Sequence, residues 1–188
     1  MDYIEDQTFD KVDFKQKPLK PAAYDNCIFS GCNFSEVNLS GIHFSECEFN
    51  GCNLTMAKLG KTAFKDVKFK ECKLLGLHFD HCDEFLFQAG FDNCILNLAS
   101  FYKVKLKNTR FNNCILLESD FTGADLSGSL FANCDLAKAV FDNTLLEKAD
   151  FRTAFNYSID PEANKIKKAK FSRLGVSGLL DKYDIEIE

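Results

Sequence analysis

The sequence predicts an all-β solenoid: a quadrilateral β-helix of about seven coils, closed at its C-terminal end by a short α-helical cap. Three observations carry this prediction. A large apolar residue returns at every fifth position, the residue two places before it is small and repeatedly cysteine, and like residues recur every twenty positions.

The beat of five opens with Phe9, Phe14, Leu19 and Tyr24. It continues as Phe29, Phe34, Leu39, Phe44, Phe49, Leu54, Leu59, Phe64, Phe69, Leu74 and Phe79. A second run holds Phe91, Leu96, Phe101, Leu106, Phe111, Leu116, Phe121, Leu126, Phe131, Leu136, Phe141, Leu146 and Phe151. Five matches neither the two-residue period of a strand nor the 3.6-residue period of an α-helix. The chain must therefore turn a corner every five residues, so that each central residue points at one axis.

All nine cysteines fall two positions before a central slot: Cys27, Cys32, Cys47, Cys52, Cys72, Cys82, Cys94, Cys114 and Cys134. Equivalent slots hold Val37, Ala57, Val67, Ala99, Val104, Thr109, Ala124 and Ala139. Large and small inward residues alternate, as filling a narrow axial core requires. The cysteines thus read as packing groups, since a free thiol behaves as a small hydrophobe. Their stacked, parallel placement is unlike the converging pairs of a zinc site.

Cys32, Cys52 and Cys72 are twenty apart, as are Cys94, Cys114 and Cys134, which gives four five-residue sides per coil. The step from Cys72 to Cys94 is twenty-two, so two residues enter between them. The first phase would bury Glu84, an unpaired charge that a core excludes. A bulge is expected within residues 83–88, with Leu86 inward, Glu84 extruded, and Phe85 or Phe87 or both exposed as an interaction site. Beside it, His78, Asp80, His81 and Cys82 read as surface residues, with a metal site as the other reading.

Three segments follow: an irregular N-terminal cap and first coil over 1–25, the regular repeats over 26–151, and a last coil with a C-terminal helix over 152–188. Irregularity is expected around Pro18 and Pro21, where Lys17 falls on a small inward slot. In the last segment, Asp160 and Pro161 read as a helix start. Val176, Leu179, Leu180 and Tyr183 would form one apolar helical stripe, followed by alternating Ile185 and Ile187. Such a stripe must pack on the last coil or on a second chain.

The 188 residues carry a net charge of −5, which weighs against nucleic acid as a partner. No apolar run is long enough to span a bilayer. The acidic start MDYIEDQTFD is unlike a secretory signal, so nine free thiols in a reducing cytoplasm are expected. No nucleophile–base set, carboxylate pair or phosphate-binding glycine loop stands out. No enzyme activity and no cofactor are expected.

The repeat in GADLSGSLFANCDLAKAVFDNT resembles the pentapeptide-repeat family, over about residues 9–151. The resemblance implies a right-handed coil, and about seven rungs at the strand spacing of roughly 4.8 Å make a rod on the order of 30 Å long. The tail is similar in placement to that of the Qnr- and MfpA-type quinolone-resistance branch, whose C-terminal segment joins two rods. This implies a homodimer through Val176, Leu179, Leu180, Tyr183, Ile185 and Ile187. Members of that branch resemble duplex DNA and bind DNA gyrase or topoisomerase IV. The resemblance thus implies a DNA mimic that protects against quinolones, acting through Glu118, Asp120, Asp125, Asp135, Asp142, Glu147 and Asp150. The basic residues Lys58, Lys61, Lys65, Lys68, Lys70 and Lys73, with Lys103, Lys105, Lys107 and Arg110, form bands that a uniform mimic would not carry. A protein-interaction scaffold with an unrelated cytoplasmic partner is the alternative, and the sequence leaves both open.

Overall fold

The computed structural model describes residues 2–85 and 87–186. Eleven short strands run β1 (Asp2–Glu5), β2 (Thr8–Asp10), β3 (Ala22–Asp25), β4 (Ile28–Ser30), β5 (His43–Ser45), β6 (Glu48–Asn50), β7 (Ala63–Lys65), β8 (Val67–Lys70), β9 (Ala89–Asp92), β10 (Arg110–Asn112) and β11 (Leu130–Ala132). They form two parallel sheets, one ordered β1-β3-β5-β7 and the other β2-β4-β6-β8-β9-β10-β11. The fold is an all-β parallel solenoid with almost no helix.

Each rung is closed by pairing to the rung twenty residues on. Phe9 faces Phe29 and Phe29 faces Phe49 on the seven-stranded wall, here called wall A. Five residues later Asn33 bridges Asn53 on wall B, then Asn38 bridges Lys58 on wall C, and then Phe44 faces Phe64 on wall D. Wall D carries β1, β3, β5 and β7. Seven passes along wall A make six full turns, against the seven or so coils expected. Isolated bridges extend the pairing to Lys170.

The corners explain why a five-residue side closes. At most corners the second residue after the central one adopts a left-handed backbone, as at Lys11, Glu36, Lys61, Asn113 and Lys138. The same place is glycine at Gly41, φ 72°, and Gly128, φ 73°, where a left-handed turn costs least. Between corners, side chains at alternate positions point inward, one small and one large.

Inward rings superpose because rungs are spaced by strand pairing. Phe29 stacks on Phe49 at 4.8 Å and 12°, and Phe111 stacks on Phe131 at 4.8 Å and 4°. Neighbouring columns meet edge to face, as Phe101 does with Phe111 at 85°, the arrangement that ring quadrupoles favour. Among the described residues, these rings fill the axis.

The cysteine slot has a second property beyond size. Cys52 Sγ donates to the Phe29 carbonyl and Cys72 Sγ to the Phe49 carbonyl, each at 3.2 Å. In equivalent slots Thr62 donates to Leu39, Ser119 to Leu96, Ser129 to Leu106 and Thr144 to Phe121. Each of these pairs is twenty-three residues apart. Where the slot holds Cys, Ser or Thr the side chain also donates to the rung below, whereas Val and Ala fill it by size alone.

The two-residue slip lies where the sequence places it. Phe69 pairs with Phe91, twenty-two residues on, and their rings still stack at 5.5 Å and 7°. Cys94 donates to Phe69 across twenty-five residues, two more than elsewhere. The extra chain leaves wall D where Asp83 N–H donates to the Thr62 carbonyl and returns where Gln88 N–H donates to that of Phe64. The four-stranded sheet accordingly ends at β7.

The C-terminal segment differs from expectation. Among the described residues there is no α-helix; Val176–Leu179 and Asp181–Tyr183 are short 3-10 turns. The start signal was locally sound, since Asp160 Oδ1 accepts the Glu162 N–H at 2.8 Å. The ladder then takes over: Lys165 bridges Leu145, Lys170 bridges Asp150, and Phe171 stacks on Phe151 at 5.4 Å. A helix there would forfeit that pairing. The tail folds back beyond this rung, where Ile159 N–H donates to the Gly178 carbonyl at 2.9 Å. A Cβ on Gly178 would clash with the Tyr157 carbonyl oxygen, so only glycine fits there. At the other end, Lys17 is exposed and the chain between β2 and β3 turns at Asp13–Lys17 without a strand.

Candidate interaction surface

With the interior filled, chemistry is confined to the outside of the rod and to its thiols. Two of the thiols are poor nucleophiles. Burial pushes Cys32 up to about 11 and Cys47 up to about 12, so both stay protonated at neutral pH, and the thiolate is the reactive form. All nine are free, and eight are buried. No helix among the described residues is long and apolar enough to cross a membrane.

The acidic candidates occupy the rungs after residue 112, and the coil distributes them over all four walls. Glu118 and Asp135 lie on wall B, Asp120 and Asp142 on wall C, Asp125 and Glu147 on wall D, and Asp150 on wall A. The ladder fixes this, since Asp135 bridges Ile115, Asp120 bridges Ser100, Asp125 bridges Lys105 and Asp150 bridges Leu130.

Several of these carboxylates already have partners. Arg152 grips Asp150 with two nitrogens, Nε to Oδ1 at 3.0 Å and Nη2 to Oδ2 at 2.8 Å, and holds its carboxyl below the usual range. Lys138 reaches Glu118 at 3.3 Å. Burial works to raise Asp125, but the Ser127 hydroxyl and N–H and the Lys107 ammonium at 3.2 Å outweigh it and keep the carboxyl low. Among the described residues, Asp120, Asp135, Asp142 and Glu147 take part in no ion pair, and Asp142 and Glu147 are exposed. On the adjacent walls C and D, Asp120, Asp142 and Glu147 therefore carry no cation of the chain's own.

The basic residues also girdle the rod, with Lys58 and Lys61 on wall C, Lys65 on wall D, Lys68 and Lys70 on wall A and Lys73 on wall B. Glu48 partly neutralises this girdle: Lys68, at 3.0 Å, and Lys70, at 3.2 Å, hydrogen-bond its carboxylate and lower its pKa. Charge is therefore segregated by rung along the axis, not by wall.

The bulge divides its residues. Phe85 is 81% exposed, with Lys105 Nζ over its ring at 5.6 Å, and Glu84 is exposed beside it. Of the two aromatics expected at the tip, one or both, Phe85 is the exposed one; Phe87 turns inward and meets Phe79 at 5.6 Å and Phe64 at 6.3 Å, edge to face. It fills the space opened by the slip. Leu86, expected inward, lies outside the described residues.

The tail candidates do not form one helical stripe, because the backbone is not helical. Val176, Tyr183 and Ile185 are exposed; Leu179 packs against the core, and Leu180 is half-buried. Ile187 lies outside the described residues. Leu174, which sequence reasoning passed over, is 95% exposed beside them. A second feature it passed over is an apolar strip on wall B formed by Met56, Leu75, Ile95, Leu98 and Ile115, with Ile95 and Ile115 in register. Reading outward positions at steps of twenty would have found it.

A family description, "Pentapeptide repeat region", matches residues 19–84 and 84–171. The sequence matches no curated protein. The fold is similar to that of QnrB1, described as a plasmid-mediated fluoroquinolone resistance protein. In one trypsin-treated form the TM-score is 0.61 at 20% identity, covering 100% of this chain and 92% of that one. A second trypsin-treated form gives 0.49 at 20% identity, covering 100% and 98%. HetL, a pentapeptide repeat protein of the cyanobacterium Nostoc involved in heterocyst differentiation regulation, gives 0.38 at 20% identity, covering 89% and 86%. At this identity the likeness is one of fold.

Proposed function

Because the chain belongs to the pentapeptide-repeat family, we propose that it works without catalysis, as a rod in the cytoplasm whose walls dock a protein partner, and that this partner is a type II topoisomerase, DNA gyrase or topoisomerase IV. The rod would occupy the enzyme's cationic DNA path in place of duplex and so counter quinolone poisoning. The observation that carries this reading is the trio Asp120, Asp142 and Glu147, on the adjacent walls C and D and outside every ion pair among the described residues. Free carboxylates on a rigid surface are what a cationic groove would take as phosphates.

The test is a gyrase supercoiling assay with ciprofloxacin across a dose series of the protein. Protection is expected, and Asp120→Lys with Asp142→Lys is expected to abolish it while leaving the melting temperature unchanged. No protection at any dose removes the topoisomerase reading; protection that survives the double reversal removes its acidic mechanism.

A second reading is favoured by the wall B strip, where Met56 and Leu98 are each 55% exposed. An exposed apolar patch on an otherwise polar rod suits a scaffold that binds some other protein. Under that reading, Leu98→Lys weakens partner binding and Asp142→Lys does not.

The exposed apolar tail supports a homodimer. Leu174, Val176, Tyr183 and Ile185 would be covered by the same residues of a second copy, with the Phe85 tip left free. Light scattering is expected to give the mass of two chains for the native protein and of one for Leu174→Glu with Val176→Glu. A native mass of one chain removes the dimer.

A further inference from the structure

Two of the chain's three histidines come together around one carboxylate. The His78 and His81 rings lie parallel, 4.8 Å between centroids and 12° apart. His78 Nδ1 is 3.3 Å from one oxygen of Asp80, and His81 Nε2 is 3.5 Å from the other. One donor atom from each residue lies within 4.8 Å of the other two. Both imidazoles are more than half exposed, at 56% and 61%, while the carboxylate between them is only 18% exposed.

A local departure from the repeat builds this cluster. Phe79 is anchored in the core, stacked on Phe101 at 4.7 Å and 5°. His78 is held in the ladder by its bridge to Ser100. The corner that follows is left-handed at Lys61 one rung below and at Lys103 one rung above. Here it is a 3-10 turn over Phe79–His81, with the His81 N–H donating to the His78 carbonyl at 3.2 Å. The altered turn leaves the fourth residue of His78-Phe79-Asp80-His81 beside the first, on the outer side of wall C.

We propose that His78, Asp80 and His81 form a binding site for one divalent first-row transition-metal ion, taken up as Zn²⁺, with water completing its shell. Two imidazoles and a carboxylate are the donor set that such ions prefer, whereas Mg²⁺ and Ca²⁺ favour an all-oxygen shell. Only small side-chain rotations separate the three donors from a common ion. The neighbouring Cys82 thiol is not among the three clustered donors. The ion would fix the turn from which the extra chain leaves wall D at Asp83, bracing the base of the bulge that carries Phe85.

Calorimetric titration of the full chain with ZnCl₂, under a non-chelating reductant, tests the site. One Zn²⁺ per chain is expected, with no heat from MgCl₂. Binding should be lost in His78→Ala with His81→Ala, weakened in Asp80→Asn, and retained in His43→Ala and in Cys82→Ser. Because the imidazoles are exposed, the double variant is expected to melt with the metal-free native protein and to lose only the rise in melting temperature that Zn²⁺ gives the native chain. Equal Zn²⁺ affinity in the native and double-variant proteins overturns the proposal, as does binding that disappears with Cys82→Ser instead.

Discussion

Phe111→Ala should destabilise the rod by about 3–5 kcal/mol, read as a fall in the midpoint of urea unfolding. The ring is fully buried and lies between Phe91, at 5.0 Å, and Phe131, at 4.8 Å, with the edges of Phe101 and Phe121 at 5.9 and 6.1 Å. Each neighbour is tied to its own rung by backbone pairing, so none can move into the space. A cavity that cannot collapse carries its full cost. Asn112→Ala, one residue on and pointing outward, should cost little. Equal losses from the two would contradict the inward assignment on which every wall depends. Because rungs contact only their neighbours, the transition of Phe111→Ala should also broaden, its halves separating at the vacated rung.

Cys72→Asp is expected to have a comparable effect, about 3–5 kcal/mol, by leaving an uncompensated charge in the core. Cys72 Sγ is enclosed and lies 3.2 Å from each of the carbonyl oxygens of Phe49 and Lys70, which share its single S–H as acceptors. A carboxylate there faces two oxygens and no cation. Cys72→Ser keeps both acceptors in a slot that Ser119 and Ser129 already occupy elsewhere, and should cost about 1 kcal/mol. If serine proved as damaging as aspartate, the thiol would have a role beyond size and donation. If aspartate proved harmless, the slot would not be dry.

The legible part of the fold is the part the core constrains. A narrow axis accepts one large and one small side chain per side, so Phe69, Phe91, Cys72 and Cys94 report their rung and wall in the sequence itself, slip included. Outward residues answer to no such rule. That Glu118 is met by Lys138 follows from a spacing of twenty, yet no repeat pattern compels it. Asp150 is met by Arg152, two residues on in the same rung, because both side chains face outward. The acidic set could therefore be named but not sorted into paired and free members. The choice between Phe85 and Phe87 stayed open because hydrophobic residues inside a slip have no phase, and only the space above Phe64 decides which one turns in. The tail failed for a different reason: capping at Asp160 is a local signal, and the ladder beyond it, at Lys165 and Lys170, is not local. The turn at His81 was invisible because no residue there demands it.

The place where β7 has no strand above it has an architectural meaning. The surplus residues are absorbed entirely on one wall, between the carbonyls of Thr62 and Phe64, while the rings of Phe69 and Phe91 on the adjoining wall remain parallel. That gap works as a splice point: longer polypeptide grafted there would extend sideways into solvent and leave the masonry above and below undisturbed. A tower with one such socket can gain new reach without being rebuilt.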